Sequence, residues 1–176
     1  RDVPIVNYWH HQTHAAAGVL TSKFDDCAVI VIDAIGEWDT ASIWVWRDGK
    51  LKKLHRVRYP HSLGLFYSAV THRVGLKPNE DEYILMGMAA YGNPQRFFNE
   101  ILHEFFHPVD GHSWLDIFYN KPRVKMRHNL HRGCMWWRPE LNAIQDLFDI
   151  AAAVQEGATA YLNRQFKKGL LQQMFV

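Results

Sequence analysis

Cysteine and net charge are both scarce in this chain of 176 residues. Cys27 and Cys134 are the only thiols and lack metal-type spacing, which excludes a disulfide scaffold and a cysteine zinc cluster; both read as reduced residues. Lys and Arg total 20 against 18 Asp and Glu, a formal net charge of +2, which gives no argument for nucleic acid. The one modest basic cluster, Lys121, Arg123, Lys125, Arg127 and Arg132, reads as a solvated loop. No apolar run approaches a membrane span, and the opening Arg1-Asp2-Val3-Pro4 has no apolar signal core. Internal repeats and low-complexity linkers are missing as well. These absences lead to the expectation of a cytoplasmic protein that engages neither membrane nor nucleic acid.

What is present is a globular composition, 48% hydrophobic and 22% charged, in a length that suits one domain. Residues 27–33 predict a buried apolar strand. Residues 41–46 alternate, Asp48-Gly49 is a two-residue hairpin signal, and residues 51–59 return as the partner strand. Together these predict a three-stranded meander. Pro60 ends the last strand and Ser62 can cap a helix over 63–74, stopped by Gly75. Further helices are predicted over 80–90, 95–106 and 140–171, with an irregular stretch at 110–138. Strands first and helices after give an α/β fold whose sheet is covered on at least one face.

Two short segments carry potential chemistry. His10 and His14 stand four apart and run into Ala15-Ala16-Ala17, so a helix would stack both imidazoles on one face. Asp33 closes the first apolar strand and opens the turn Asp33-Ala34-Ile35-Gly36-Glu37-Trp38. Two imidazoles and one carboxylate make a nitrogen and oxygen donor set that can leave positions open on a metal. The same residues also suit a polar helix start and an ordinary turn.

His103-Glu104-Phe105-Phe106-His107 matches the H-E-x-x-H pattern of zinc peptidases, which requires a continuous helix under both histidines. Pro108 follows His107 at once and ends any such helix. A metzincin-type third ligand has the wrong register here, and nothing selects a distant Glu140. The peptidase reading is therefore rejected in favour of core packing by Phe105 and Phe106.

Four ordered stretches resemble one family, the O-carbamoyltransferases of the nodulation-protein and antibiotic-biosynthesis type. His10-His11-Gln12-Thr13-His14-Ala15-Ala16 resembles its H-H-x-x-H-A-A, and Val31-Ile32-Asp33-Ala34-Ile35-Gly36-Glu37-Trp38 its V-D-G-x-G-E-W. Residues 59–69, around Pro60-His61-Ser62-Leu63-Gly64, resemble F-P-H-S-L-G-x-x-Y-S-A. Residues 79–92, from Asn79 to Tyr91-Gly92, resemble N-x-x-E-Y-K-x-M-G-L-A-x-Y-G. Weaker likenesses at Asp110-Gly111 and around Asp149 fall in the same order, so the resemblance covers roughly residues 8 to 156.

The resemblance implies part of a Kae1-like domain of the actin/Hsp70 (ASKHA) superfold. It implies transfer of a carbamoyl group from carbamoyl phosphate, activated by ATP as an adenylate, to an acceptor hydroxyl. A YrdC-like domain makes the adenylate in such proteins. The family's metal positions map to His10, His14 and Asp33, with a divalent ion, iron, as the expected cofactor. His11, Glu37 and His61 become candidate contacts for a small hydroxyl acceptor, and Glu37 the candidate catalytic carboxylate. Glu37 as a surface acid and His61 as a helix cap remain open.

Two positions depart from the pattern: Ile84 stands where the family has Lys, and Ala34 where it has Gly. The family's first phosphate loop and its A-G-G-V-A-L-N-like segment have no counterpart here. The expectation is that residues 1–176 form part of one domain, inactive alone, completed by a second lobe. A non-catalytic remnant or binding module of the same fold is the alternative.

Overall fold

The computed structural model describes residues 3–106 and 129–165. Strands β1 (Cys27–Gly36), β2 (Asp39–Arg47) and β3 (Lys50–Arg58) form an antiparallel sheet in the order β1-β2-β3, the meander the sequence predicts. Asp48 and Gly49 join β2 to β3 with φ of 51° and 68°, the left-handed pair that a type I′ hairpin requires.

The expectation of a buried first strand is corrected. Among the described residues β1 is an edge strand, and it continues past Asp33 to Gly36; Ile32 is 40% exposed and only Val31 and Gly36 of the strand are buried. Burial falls instead on the central strand, where every residue from Asp39 to Trp44 is buried. Period-two alternation sends those side chains to two different layers. Ala41 and Ile43 join Val57 in the main core, while Trp44 packs with Val31 and with Ala15 of helix α1 (His10–Leu20) on the other face.

Helices α2 (Leu63–Arg73), α3 (Glu82–Met88), α4 (Phe98–Phe105) and α5 (Ile144–Gln165) build the main core. Phe66, fully buried, meets Phe105 and Phe106 at ring-centroid distances of 5.1 and 5.0 Å, and Ile150, Ala153 and Val154 of α5 close the layer. The guanidinium of buried Arg73 donates to the carbonyls of Trp137 (2.7 Å), Arg138 and Leu141 (2.9 Å), which ties the chain before α5 to α2. Both cysteines are free, and burial pushes the Cys134 thiol up to about 12, so it stays protonated.

Several helix boundaries move for local reasons. α3 starts after Asn79, whose φ is 65°, because the Glu82 carboxylate accepts both the Asn79 N–H (2.7 Å) and the Ser68 hydroxyl (2.6 Å). The helix expected over 95–106 divides into a 3-10 turn, Pro94–Arg96, and α4. α4 stops at Phe105, and Phe106 turns away with ψ of 84°, so the helix that H-E-x-x-H needs ends before His107, which lies outside the described residues. α5 begins at Ile144 and not at 140; Asp146 accepts the Ala143 N–H there. Its expected extension to 171 and the basic residues 121–127 also lie outside the described residues. No helix among the described residues is long and apolar enough to cross a membrane.

Candidate functional site

Helix α1 reaches the site through its small residues. Ala15 is fully buried and seats the helix on Val29, Val31 and Trp44, and Val19 further along is buried as well. That docking brings the first turn of α1 to the end of β1 that carries Asp33. His10 and His14, one helical turn apart, then face the carboxylate together. His10 Nε2 lies 2.7 Å from Asp33 Oδ2 and 3.0 Å from His14 Nε2, and His14 Nε2 lies 3.9 Å from the same oxygen.

Two further groups aim Asp33. Its Oδ1 accepts the Ala34 N–H at 2.7 Å, which leaves Oδ2 for the imidazoles. The Ser62 hydroxyl donates to the Ala34 carbonyl at 2.8 Å and accepts the Leu65 N–H at 3.0 Å, so one side chain caps α2 and pins the strand end. Gly64 permits that contact, since a β-carbon there would stand 2.8 Å from the Ala34 Cα. Burial acts to raise the Asp33 pKa. The hydrogen bonds from His10 and the Ala34 amide, with the positive potential of His10 and His11, outweigh burial and hold the carboxyl below its ordinary value.

His11 lies one residue on from His10, so helical rotation turns it into the sheet. It is 1% exposed, with Nδ1 2.7 Å from Ser42 Oγ, and Ser42 Oγ also accepts the Trp44 indole N–H at 2.8 Å. The Ser42 hydroxyl thus ties the His11 ring and the Trp44 indole together on this face of the sheet. Burial lowers the His11 pKa against the pull of Asp39 and Asp33, and its Nε2 has no hydrogen-bond partner among the described residues.

Two cavities flank the triad. The larger, about 390 Å³, includes Asp33, Ser68, His72, Asn79 and Arg132 in its wall. The smaller, about 160 Å³, is walled by His10, His11, Gly36, Lys53, Arg56 and Arg58, among others.

The structure thus brings together His10, His14 and Asp33 from among the residues that the sequence singles out. Glu37 is exposed on the β1–β2 turn at the smaller cavity, with φ of 61°. His11 is a sheet-facing residue rather than a member of the triad. His61 stands apart: its carbonyl accepts the Thr40 hydroxyl, it lines neither cavity, and Ser62 supplies the helix cap in its place. Sequence reasoning missed Ser42 and the β3 cations Lys53, Arg56 and Arg58. The register is the signal that finds them, because Arg56 pairs with Ser42, Lys53 with Trp44, and Arg58 with Asp39.

The donor atoms of His10, His14 and Asp33 all lie within 4.8 Å of one another, a group that could hold a metal ion. Donors about 2.1 Å from one cation stand roughly 3.0–3.4 Å apart, so these edges match a shared centre after shifts of a few tenths of an ångström. The set also leaves positions open, as two-His, one-carboxylate iron sites do.

Residues 1–159 match the family model described as carbamoyltransferase N-terminus. An uncharacterized protein of Synechocystis sp. is 46% identical over 158 residues, covering 86% of this chain and 26% of that protein. Nodulation protein NolO of Bradyrhizobium diazoefficiens is 32% identical over 147 residues, 84% of this chain and 26% of its own length. Nodulation protein NolNO of Sinorhizobium fredii is 29% identical over 101 residues, 57% of this chain and 15% of its own. The chain thus spans about a quarter of the length of the first two of these relatives. It belongs to the carbamoyltransferase N-terminal family.

Proposed function

We propose that this chain is the metal-holding part of an O-carbamoyltransferase that uses ATP and carbamoyl phosphate and delivers the carbamoyl group to an acceptor hydroxyl. One observation carries the metal assignment. A single nitrogen, His10 Nε2, has two polar atoms within 3.0 Å, yet an imidazole nitrogen offers one proton or one lone pair, not both. A cation satisfies all three donors at once. When bound, a divalent ion such as iron would neutralise phosphate charge and orient the transferring group.

The rest of the work belongs to the chain. Asp33 stays anionic because its partners depress its pKa. Ser62 and Gly64 keep it in place against α2. Glu37, on the cavity wall, is assigned to orient the acceptor hydroxyl and accept its proton. Ser68, His72 and Asn79 line the larger cavity as candidate polar contacts for substrate. The actin/Hsp70-like assignment belongs to this proposal, as do a second lobe that completes the nucleotide site and a YrdC-like partner domain. Family membership and the NolO likeness support it.

The test is metal content of the intact protein by elemental analysis. The wild type is expected to bind about one ion, and His10→Ala and His14→Ala to lose it, while His103→Ala keeps it. Retention in the His10 and His14 variants overturns the proposal. Loss in the His103 variant revives the peptidase motif.

A further inference from the structure

The third strand concentrates positive charge on an edge of the sheet. We propose that β3 is a docking edge for an acidic, extended peptide segment of a partner protein, which joins the sheet as a further strand. This surface does not rest on the carbamoyl-transfer reading.

Charge is the first observation. Lys50, Lys52, Lys53, Arg56 and Arg58 place five cations in the nine residues of β3, with no acid among them, in a chain of net charge +2. Burial alternates along the strand and leaves Lys50, Lys52, Leu54, Arg56 and Arg58 exposed. Lys53 and Arg58 share Asp39, at 3.0 and 3.8 Å. Lys50, Lys52 and Arg56 form no ion pair among the described residues. Lys50 also stands across from Arg47, and Arg47 reaches to Asp26 at 3.5 Å. Like charges opposite each other destabilise a strand pair, and an acid beyond β3 would relieve the repulsion.

The backbone is the second. β3 is last in the order β1-β2-β3, and among the described residues no strand pairs with its outer side. Residues 50–57 make no backbone hydrogen bond outside the sheet there. Such an edge presents N–H and C=O groups together, which a phosphate polymer cannot match and a peptide strand can. Leu54 bulges between the pairs Ile43–His55 and Trp44–Lys53, so the edge divides into two runs, 50–53 and 55–58. Lys50 and Lys52 both fall in the first.

The third observation is what the charge turns away. A second copy would set this strand against itself, cation facing cation. Residues 107–128 carry four Lys and Arg against two Asp, and residues 166–176 two Lys and no acid. Both stretches are positive and do not complement β3. An acidic strand from another protein does.

The experiment is fluorescence anisotropy of a labelled peptide of four Glu-Thr repeats, titrated with the intact protein. Saturable binding is expected, weakening as salt rises. Hydrogen exchange of residues 50–58 is expected to slow in the complex. Lys50→Glu combined with Lys52→Glu is expected to weaken binding about tenfold, since reversal turns attraction across the strands into repulsion. Lys50→Ala combined with Lys52→Ala gives a smaller loss in the same direction. Both lysines are exposed, so the melting temperature stays unchanged and folding is read separately. The same peptide with every amide N-methylated keeps its charge, loses its donors and is expected not to bind. No binding of the unmodified peptide, unchanged exchange in β3, or unchanged affinity in the Glu variant overturns the proposal. Equal binding of the methylated peptide or of polyphosphate also overturns it, marking a grip on charge alone. Self-association of the wild type that the Glu variant loses overturns it by making a second copy the occupant.

Discussion

Gly64 at the start of α2 lies so close to Ala34 at the end of β1 that an added β-carbon would meet the Ala34 nitrogen at 2.9 Å. Backbone rests on backbone there, one residue after Asp33. The Asp33 carboxylate is thus aimed by a helix 30 residues further along the chain, through Gly64 and the Ser62 hydroxyl.

Gly64→Ala must push α2 off the strand end, because the clashing atoms are backbone and cannot rotate away. It is expected to cost about 1–3 kcal/mol, the usual range for overpacking. Metal affinity is expected to fall with it, whereas a Leu63→Val control destabilises the core without moving Asp33. Urea unfolding and metal titration of both variants measure the difference.

Gly92 is the second close approach. A β-carbon there would stand 2.0 Å from the Phe148 carbonyl oxygen of α5, so Gly92→Ala must separate the chain after α3 from α5. The expected loss is about 3 kcal/mol or more, at the high end for single substitutions. Thermal unfolding of the variant checks it. The Gly92 of the family motif is explained by packing against α5.

Phe66→Ala is expected to cost about 3–5 kcal/mol, since it removes a fully buried ring against Phe105 and Phe106. The double variant Phe66→Ala with Phe105→Ala is expected to cost less than the sum of its parts, because the two rings share one contact. Chemical denaturation of the four proteins tests that coupling.

Asp149 sets an acid limit. Burial works to raise its pKa, but the Asn93 N–H, the Gln145 amide and Arg96 together hold it below the ordinary 3.8. A depressed carboxylate contributes stability that is complete above its unfolded value and is lost as pH falls through its lower folded value. Stability is therefore expected to fall as pH drops below 3.8. Asp149→Asn is expected to cost about 1–2 kcal/mol at neutral pH and to flatten that acid limb. Melting temperatures between pH 7 and pH 3 measure both effects.

The meander, its Asp48-Gly49 turn and the Ser62 cap were legible in the sequence because each rests on chemistry within a few residues. The triad was legible for a mixed reason. His10 and His14 meet by helical spacing alone, while their meeting with Asp33 followed from the family resemblance and not from any local rule. The burial of β1 was misread because an apolar run looks the same at the centre of a sheet and at its edge. The cap of α2 falls to Ser62, as the sequence predicts, which leaves the capping alternative for His61 unfilled. Nothing in the structure accounts for Ile84 in place of Lys.

Local sequence thus decided which segments are strands and helices, since turn stereochemistry, caps and periodicity act over short distances. Only the tertiary structure decided which face each strand presents and which distant side chains share a cavity. Strand register sets Arg56 across from Ser42, and the docking of α1 sets Ser42 against His11. Such placements depend on long-range packing, and no short-range pattern encodes them.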